Sequence, residues 1–395
     1  AEKGVIESPF FRAKLDPARG RIVSLVDKRT GRELVDEKAP QGFGQYLYQR
    51  FGYPELAEWT KKSLYPQYEA HKMMFSAFDM PQDTSTVSAC PENMTLEVKT
   101  SPIDVSAVMT GEIPGPGQPQ QIYIRLTLSA EMPVADLEVG WQKQPDGWPE
   151  AAWVCLPFKC ENPRFRLGRL GADLDAVEDM TVENANYRFS WINTGVSIYD
   201  GASGAGVSVC PLDSPLVSLE EPGEYRFESR FIPTKPYVFV NLYNNHWRTN
   251  FAAWIGDGRR MTSRVRIWAF DKFNSESALY SPAMEARVPL AAARSTARPG
   301  SLPPSQAGIA LSRKGVAVTA FGPNPDGEGT ILRVWEQGGM TGDVTVTLPN
   351  GFQASHARPV TLRGEELPGE TSREISGGRF SFPLHAYAPA SFVLD

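Results

Sequence analysis

Short runs of apolar and β-branched residues, separated by turn residues, set the pattern of this chain from its first segment onward. Residues 10–15 and 21–26 are rich in Phe, Leu, Ile and Val and predict two strands. Between them lies Asp-Pro-Ala-Arg-Gly at 16–20, where proline presets φ and glycine accepts a left-handed conformation. The pattern therefore predicts a β-hairpin, followed by a second turn at 27–31 and a further strand at 32–35.

From about residue 85 to residue 290, predicted strands follow one another. They cover 94–99, 121–128, 135–141, 153–158, 187–199, 206–210, 237–241 and 263–270. The best helical stretch is short, at 54–64, and begins with Pro54, which suits a first helical position. Because no long helices separate the strands, we predict a mainly β fold with antiparallel sheets and not a doubly wound α/β fold.

A segment without periodicity divides the chain near its end. Residues 291–306 are rich in Pro, Ser and Ala and predict a linker. The strands predicted after it are enough for a small terminal sandwich, at 315–321, 330–337, 343–348, 357–362, 379–383 and 390–394. We therefore predict a large β domain over 1–290 and a second β-sandwich over 307–395.

Composition supports this picture and narrows the function. The 395 residues exceed one ordinary sandwich of about 100 residues, and the 34 glycines and 33 prolines suit a fold with many turns. A net charge of −6 without a basic run argues against a nucleic-acid partner. No run of about 18 apolar residues predicts a membrane span, and residues 1–7 contain no apolar signal core. We expect a soluble protein of unknown compartment, with a cleaved signal or a longer parent polypeptide left open.

Cysteine and histidine usage gives no sign of a metal site. Neither a CxxC pair nor zinc-ligand spacing occurs among the four cysteines, Cys90, Cys155, Cys160 and Cys210, so we predict buried free thiols and not a disulfide framework. The four histidines are widely scattered, at His71, His246, His356 and His385. No paired ligands for a metal are therefore predicted in this chain.

Four motifs, in order along the chain, point to one family. They are Ile-Val-Ser-Leu-Val-Asp-Lys at 22–28, Glu-Ala-Ala-Trp-Val-Cys-Leu-Pro-Phe at 150–158, Asn-Asn-His-Trp-Arg-Thr-Asn-Phe at 244–251 and Leu-Arg-Val-Trp-Glu at 332–336. Together they resemble the C-terminal β region of family-38 α-mannosidases over residues 8–395, with Ala152 and Val334 in place of two leucines of the family pattern.

The resemblance implies a large super-sandwich of the galactose-mutarotase type followed by a smaller β-sandwich. In that family a carboxylate nucleophile, a carboxylic acid and a zinc ion held by Asp and His side chains belong mainly to an N-terminal α/β barrel and the helical segment after it. Nothing in this sequence shows the βαβ alternation of a barrel. We therefore assign no catalytic residue here, expect zinc only in the catalytic barrel, and expect that barrel as the partner domain.

A cluster of polar and aromatic residues gives the best candidate binding site. It contains Tyr243, Asn244, Asn245, His246, Trp247, Arg248 and Asn250. Amides and Arg exchange hydrogen bonds with sugar hydroxyl groups, and an aromatic ring stacks on the apolar face of a sugar. The cluster therefore predicts contact with carbohydrate, a mannose-type glycan by the resemblance. The alternative is that the amides form turns and Trp247 is a core residue.

Two smaller features stay open between function and packing. Trp148 and Glu150 lie where an apolar strand begins, and a carboxylate there would bind a hydroxyl group or act as an acid. The alternative is a solvated Glu150, since glutamate is rarely buried unless paired. The aromatic segment at 46–53 predicts either core or a surface that packs against the barrel.

Three functional hypotheses follow. The first is a non-catalytic, carbohydrate-contacting β region of an α-mannosidase-like glycoside hydrolase, inactive in hydrolysis by itself. The second is a free-standing carbohydrate-binding module. The third is a mutarotase- or epimerase-like enzyme, in which His246 and Glu150 would be the acid–base pair.

Overall fold

The computed structural model describes residues 4–63, 81–144, 147–180, 186–245, 258–294, 303–325 and 327–395. Contacts divide the chain into two compact units. The first comprises Ala1–Leu167 and Leu174–Phe273, and the second comprises Gly168–Asp173 and Asn274–Asp395. This division places residues 274–290 with the second unit, whereas the predicted linker at 291–306 lies partly outside the described residues.

Among the described residues, sheets of four, six and nine strands, mostly antiparallel, contain the strands up to residue 270. The four-stranded sheet contains β1 (Val5–Glu7), β2 (Phe11–Asp16), β3 (Arg21–Asp27) and β4 (Arg32–Glu33). The six-stranded sheet contains β5 (Gln45–Arg50), β6 (Val87–Ala89), β11 (Glu150–Pro157), β14 (Ser190–Trp191), β17 (Leu216–Leu219) and β18 (Tyr237–Asn244). Its spatial order is β14-β17-β18-β11-β5-β6, so β11 and β18 lie at its centre.

The nine-stranded sheet supplies the other large layer. It contains β7 (Thr95–Thr100), β8 (Asp104–Ile113), β9 (Gln120–Ser129), β10 (Ala135–Lys143), β12 (Pro163–Arg169), β13 (Ala172–Asp175), β15 (Gly195–Asp200), β16 (Gly206–Pro211) and β19 (Arg260–Phe270). Its order is β13-β12-β15-β16-β19-β10-β9-β8-β7. Buried and more exposed residues alternate along β9, as expected for a strand with one face on the core.

The main core lies between the six-stranded and nine-stranded sheets. Tyr46 and Val154 reach it from the first, and Leu126 and Val139 from the second. The sandwich is the architecture that alternating inward and outward residues on facing sheets produce. The predicted fold class, a large antiparallel super-sandwich followed by a small β-sandwich, is therefore confirmed.

The outer face of the six-stranded sheet is buried as well. Trp153 of β11 packs there in a second apolar cluster, while its neighbours on either side face the main core. A helix, α1 (Tyr53–Ser63), covers this face with Leu56 and Trp59, together with Tyr225. All eight residues of β11 are consequently buried, which explains its almost continuous apolar sequence.

One strand prediction needs correction, and one helical segment was not predicted. The strand predicted over 187–199 is two short strands, β14 and β15, which belong to different sheets. The break falls before Gly195, whose φ of +145° suits glycine and not a β-branched residue. The helix predicted at 54–64 is confirmed as α1. A second helical segment, a π-helical turn at Ser275–Tyr280 followed by α2 (Ser281–Arg287), was not predicted.

The second unit contains a small sandwich. One sheet contains β20 (Ala310–Leu311), β23 (Gly342–Thr347) and β26 (Arg379–Leu384), and the other contains β21 (Val316–Pro323), β22 (Thr330–Glu336), β24 (His356–Val360), β25 (Arg373–Glu374) and β27 (Pro389–Leu394). Val344 and Phe382 from the first sheet pack with Leu332 and Phe392 from the second.

Glu336, the last residue of the Leu-Arg-Val-Trp-Glu motif, organises one end of this small sandwich. Its carboxylate is fully buried and accepts hydrogen bonds from the backbone N–H groups of Gly338, Gly339, Met340 and Tyr387, at 2.9 to 3.1 Å. Arg313 Nη1 lies 3.2 Å from Glu336 Oε1. Backbone donors and a guanidinium together satisfy a charge that would otherwise be costly to bury.

Glu336→Ala should therefore lower the free energy of unfolding of the second unit by about 3–5 kcal/mol, because it leaves Arg313 and several buried N–H groups without their acceptor. Urea denaturation measures this change. The exposed Glu365 supplies the control, since Glu365→Ala should change stability by less than about 0.5 kcal/mol. A loss below about 1 kcal/mol in Glu336→Ala would contradict this account of the carboxylate.

The four cysteines are free thiols, as predicted. Cys155 and Cys210 are buried, whereas Cys90 and Cys160 are partly buried. Burial raises the pKa of Cys160 to about 11 and that of Cys90 to about 12, because a thiolate is poorly solvated there.

The native thiols should react slowly with a thiol reagent at pH 8, since only about 0.1% of a group of pKa 11 is then ionised. The rate for Cys160 should rise about tenfold per pH unit from pH 8 to pH 10, because the thiolate fraction rises by that factor below the pKa. Stopped-flow measurement with peptide mapping tests this, with urea-unfolded protein as the fast control. A native rate equal to the unfolded rate would refute it.

Candidate functional site

The described parts of the two candidate segments meet at one end of the six-stranded sheet. Asn245 follows β18, and its backbone N–H donates to the carbonyl oxygen of Glu150 at 2.7 Å. Its side-chain Nδ2 donates to the carbonyl oxygen of Trp148 at 2.9 Å. We call the group Trp148, Glu150, Tyr243, Asn244 and Asn245 the sheet-end site. The sequence placed these residues in separate segments, and the pairing of β11 with β18 brings them together.

Trp148 is half-buried, and both its indole N–H and its ring contact neighbouring residues. Its Nε1 donates to the carbonyl oxygen of Phe51 at 2.9 Å, and the Arg50 guanidinium carbon lies 4.5 Å from its ring centroid. Sequence reasoning missed Arg50 as a site residue. Arg50 reaches the site because the register of β5 with β11 pairs it with Glu150. The sequence of either strand by itself does not reveal that register.

Glu150 is buried, with 1% of its surface exposed, so the alternative of a solvated residue is wrong. Its carboxylate forms an ion pair with Lys143 Nζ and accepts a hydrogen bond from the Tyr48 hydroxyl at 2.6 Å. Glu150 and Lys143 face one another across the sandwich because even residues of β11 and odd residues of β10 point between the sheets. Lys143 Nζ also lies 5.7 Å from the Tyr48 ring centroid, a cation–π arrangement.

A hydrogen-bonded group of tyrosines continues this polar region. The Tyr46 hydroxyl lies 3.1 Å from the Tyr243 hydroxyl and donates to Gln120 Oε1 at 2.6 Å. Burial raises the pKa of Tyr46, Tyr48 and Tyr243, because phenolate would be poorly solvated there. These side chains therefore stay neutral hydrogen-bonding groups. Of the two alternatives for the aromatic segment at 46–53, core holds for Tyr46 and Tyr48.

A β-bulge decides which way Tyr243 points. Asn241 pairs with Trp153 and Tyr243 pairs with Ala152, so Leu242 is the extra residue on β18. Both Leu242 and Tyr243 therefore face the main core, and Tyr243 is 3% exposed. Without the bulge, alternation from Val240 would have turned Tyr243 to the outer face.

Beyond the bulge the outer face regains polar side chains. Asn244 is half-buried, and its Nδ2 donates to Asn241 Oδ1 at 3.0 Å. Asn245 is 5% exposed, and its amide is bonded as described above. The remaining candidates from the cluster, His246, Trp247, Arg248 and Asn250, lie outside the described residues.

The donor set for zinc is not found in the part of the chain that the structure describes. There, no three His, Cys, Asp or Glu side chains cluster in a way that could hold a metal ion. The two histidines in it, His356 and His385, belong to the second unit. The described residues therefore do not fit the zinc ion that the family resemblance implies for the family's catalytic half. Within the described residues no helix is long and apolar enough to cross a membrane.

The buried pair generates a prediction about stability. Lys143→Met and Glu150→Leu should each cost about 3–5 kcal/mol, because each leaves one buried charge without its partner. The double variant should cost clearly less than either single variant, since it removes both charges. Urea denaturation of the four proteins completes the cycle. The exposed pair Lys99–Glu97 is the control, where Lys99→Met should change stability by less than about 1 kcal/mol. Additive losses in the buried pair would contradict the coupling.

Comparison with known proteins shows which families this chain resembles in sequence and in fold. Residues 315–388 match the family model described as the glycosyl hydrolases family 38 C-terminal beta sandwich domain. No curated protein is similar enough in sequence to count as a match.

Solved structures extend the likeness to the whole chain. An α-mannosidase from Enterococcus faecalis V583 is 13% identical, with 99% of this chain and 42% of that chain covered at a TM-score of 0.68. A glycosyl hydrolase family 38 protein from Enterococcus faecalis is also 13% identical, with 99% and 44% covered at a TM-score of 0.68. A galactose 1-epimerase from Lactobacillus acidophilus NCFM, 7% identical over 68% of this chain and 94% of its own, has a TM-score of 0.39, too low to carry an argument.

The resemblance read from the motifs is thus confirmed at the level of fold. The chain spans less than half the length of the two Enterococcus proteins and shares the fold of that part of them. Its residues 315–388 are matched by the C-terminal β-sandwich domain of glycosyl hydrolase family 38.

Proposed function

We propose that this chain is the non-catalytic, carbohydrate-contacting β region of an α-mannosidase-like glycoside hydrolase. The observation that carries the proposal is the fold match over 99% of the chain to an α-mannosidase of which it covers 42%. Hydrolysis then belongs to a catalytic barrel domain, which is the proposed partner. Zinc would reside in that barrel.

The sheet-end site divides into contacting and positioning residues. Trp148 and Asn244 are half-buried, so they keep surface for a sugar ring and its hydroxyl groups. His246, Trp247, Arg248 and Asn250 stay predicted contacts, and a mannose-type glycan stays the proposed ligand. Tyr243, Glu150 and Asn245 are buried and bonded within the protein, so we assign them the role of holding the site in place.

The buried carboxylate weighs against the epimerase alternative. General acid–base catalysis needs a carboxyl group within hydrogen-bonding reach of the substrate. Glu150 instead bonds to Lys143 and Tyr48 inside the sandwich. A free-standing carbohydrate-binding module would use the same contacts as the proposed β region, and it is distinguished by whether a barrel domain belongs to the same polypeptide.

Sugar binding tests the site directly. Isothermal titration with an α-linked mannobiose should show binding, and Trp148→Ala should weaken it about tenfold, or roughly 1.4 kcal/mol, through loss of the stacking surface. Trp148→Phe should lose less because it keeps a ring. Trp191→Ala removes a tryptophan that is 45% exposed on β14 and should leave the affinity unchanged. Unchanged binding in both Trp148→Ala and Trp247→Ala would overturn the assignment of this site.

Hydrolysis supplies a second test of the proposal. The purified chain should not cleave an aryl α-mannoside, with or without added zinc, because the proposal assigns the catalytic carboxylates and the zinc ion to the barrel domain and because Glu150 is sequestered. Release of the aryl group is followed by absorbance, with a complete α-mannosidase as the positive control. Turnover above background would place catalytic residues in this chain.

A further inference from the structure

A cavity of about 770 Å³ lies over the outer face of the six-stranded sheet. Gln49 of β5 and Tyr237 of β18 contribute to it from the sheet, and Glu55 and Trp59 contribute from α1. Residues 220–228 supply much of the remaining wall. The volume falls within the range of about 300–1,000 Å³ that is usual for small-molecule sites.

Most of the charges around this cavity are already paired within the protein. Glu58 lies 2.6 Å from Lys62, and Glu221 lies 2.5 Å from Arg226. Arg188 lies 2.8 Å from Glu228. Because these charges already have partners, binding a charged ligand would add little favourable electrostatic energy.

Two side chains on the wall, Glu55 and Gln49, have hydrogen-bonding capacity that the described residues do not use, and Trp59 adds a partly exposed ring. Glu55 Oε2 is buried and accepts no hydrogen bond within the described residues. Gln49 Oε1 accepts from Trp153 Nε1 at 3.0 Å, whereas its Nε2 has no acceptor in the described part of the chain. Trp59 is half-buried, and its ring packs edge-on against Tyr225 with centroids 6.0 Å apart.

We propose that this cavity is a second carbohydrate-binding site, separate from the sheet-end site and not needed for the proposed function. A buried acceptor, an amide donor and a half-buried indole are together what a sugar ring uses, since its hydroxyl groups both donate and accept and its C–H face is apolar. Glu55 would accept from a hydroxyl group, Gln49 would donate to another, and Trp59 would offer the stacking surface.

Other ligand classes fit the wall less well. An organic cation would compete with Lys62 and Arg226 for glutamates that these side chains already pair with, and it would be repelled by Lys235. An anion would meet six glutamates, and a purely apolar ligand would strip water from all of these charges. A neutral polyhydroxylated ligand meets neither penalty.

The Glu55 carboxylate gives the site a signature that a purely structural residue would lack. A buried acceptor without a partner lowers the stability of the ligand-free protein, and a ligand hydroxyl group supplies the missing bond. Glu55→Gln should therefore leave the thermal unfolding midpoint unchanged or raise it, while it weakens sugar binding. A structural role would instead lower the midpoint.

Titration of the whole chain with α-linked mannobiose tests the proposal. The wild-type protein should bind two molecules, and Glu55→Gln should weaken one of the two sites about tenfold or more. Trp59→Ala should weaken the same site, and Trp148→Ala should weaken the other one about tenfold. Glu285→Gln, at an exposed glutamate on α2, is the matched helical control and should change neither stoichiometry nor stability.

Two outcomes would overturn this inference without touching the proposed function. One is a single binding site that Trp148→Ala abolishes and Glu55→Gln leaves intact. The other is displacement of the sugar from the Glu55-dependent site by choline, which would show a site for organic cations. A third outcome would separate the two proposals. If the protein binds two sugar molecules, Trp148→Ala affects neither site and Glu55→Gln weakens one of them, the cavity site is supported and the sheet-end site is refuted.

Discussion

Burial of the six-stranded sheet on both of its faces is the constraint on which the rest of the first unit depends. One face meets the nine-stranded sheet, and the other is covered by α1 and the segment around Tyr225. A strand in this position has no solvated side for polar groups, so each polar side chain needs a protein partner or a ligand. The apolar sequence of β11 and the polar clusters at its borders both follow from that requirement.

Both proposed sites adjoin this sheet, and they meet the constraint in different ways. At the end of the sheet, Lys143 and Tyr48 satisfy Glu150, and the backbone of Glu150 in turn holds Asn245. Above the outer face, the described residues line a cavity in which Glu55 Oε2 accepts no hydrogen bond from the described part of the chain. In the first arrangement the buried carboxylate is bonded within the protein and helps to hold the proposed contacts in place, whereas in the second the Glu55 oxygen has no hydrogen bond among the described residues.

The local pattern of the sequence was enough for the fold class, the opening hairpin, α1 and the centres of most strands, because each depends on periodicity and turn chemistry within a few residues. The burial of Glu150 was not predictable in this way. Its partner Lys143 precedes it by only seven residues, but the two face each other only once β10 and β11 lie in different sheets. The broken strand at 187–199 failed for a related reason, since its two halves join sheets that the local sequence does not distinguish.

The extra residue on β18 bears on how this protein is compared with its relatives. At 13% identity, residues are matched mainly by their position along a strand. If a relative lacks the bulge at Leu242, an alignment without a gap would place each later residue of β18 against one that points to the opposite face. A functional role transferred from the relative to Tyr243 or Asn244 would then rest on the wrong side chain. The position of that single gap therefore matters more than the overall similarity of the two sequences.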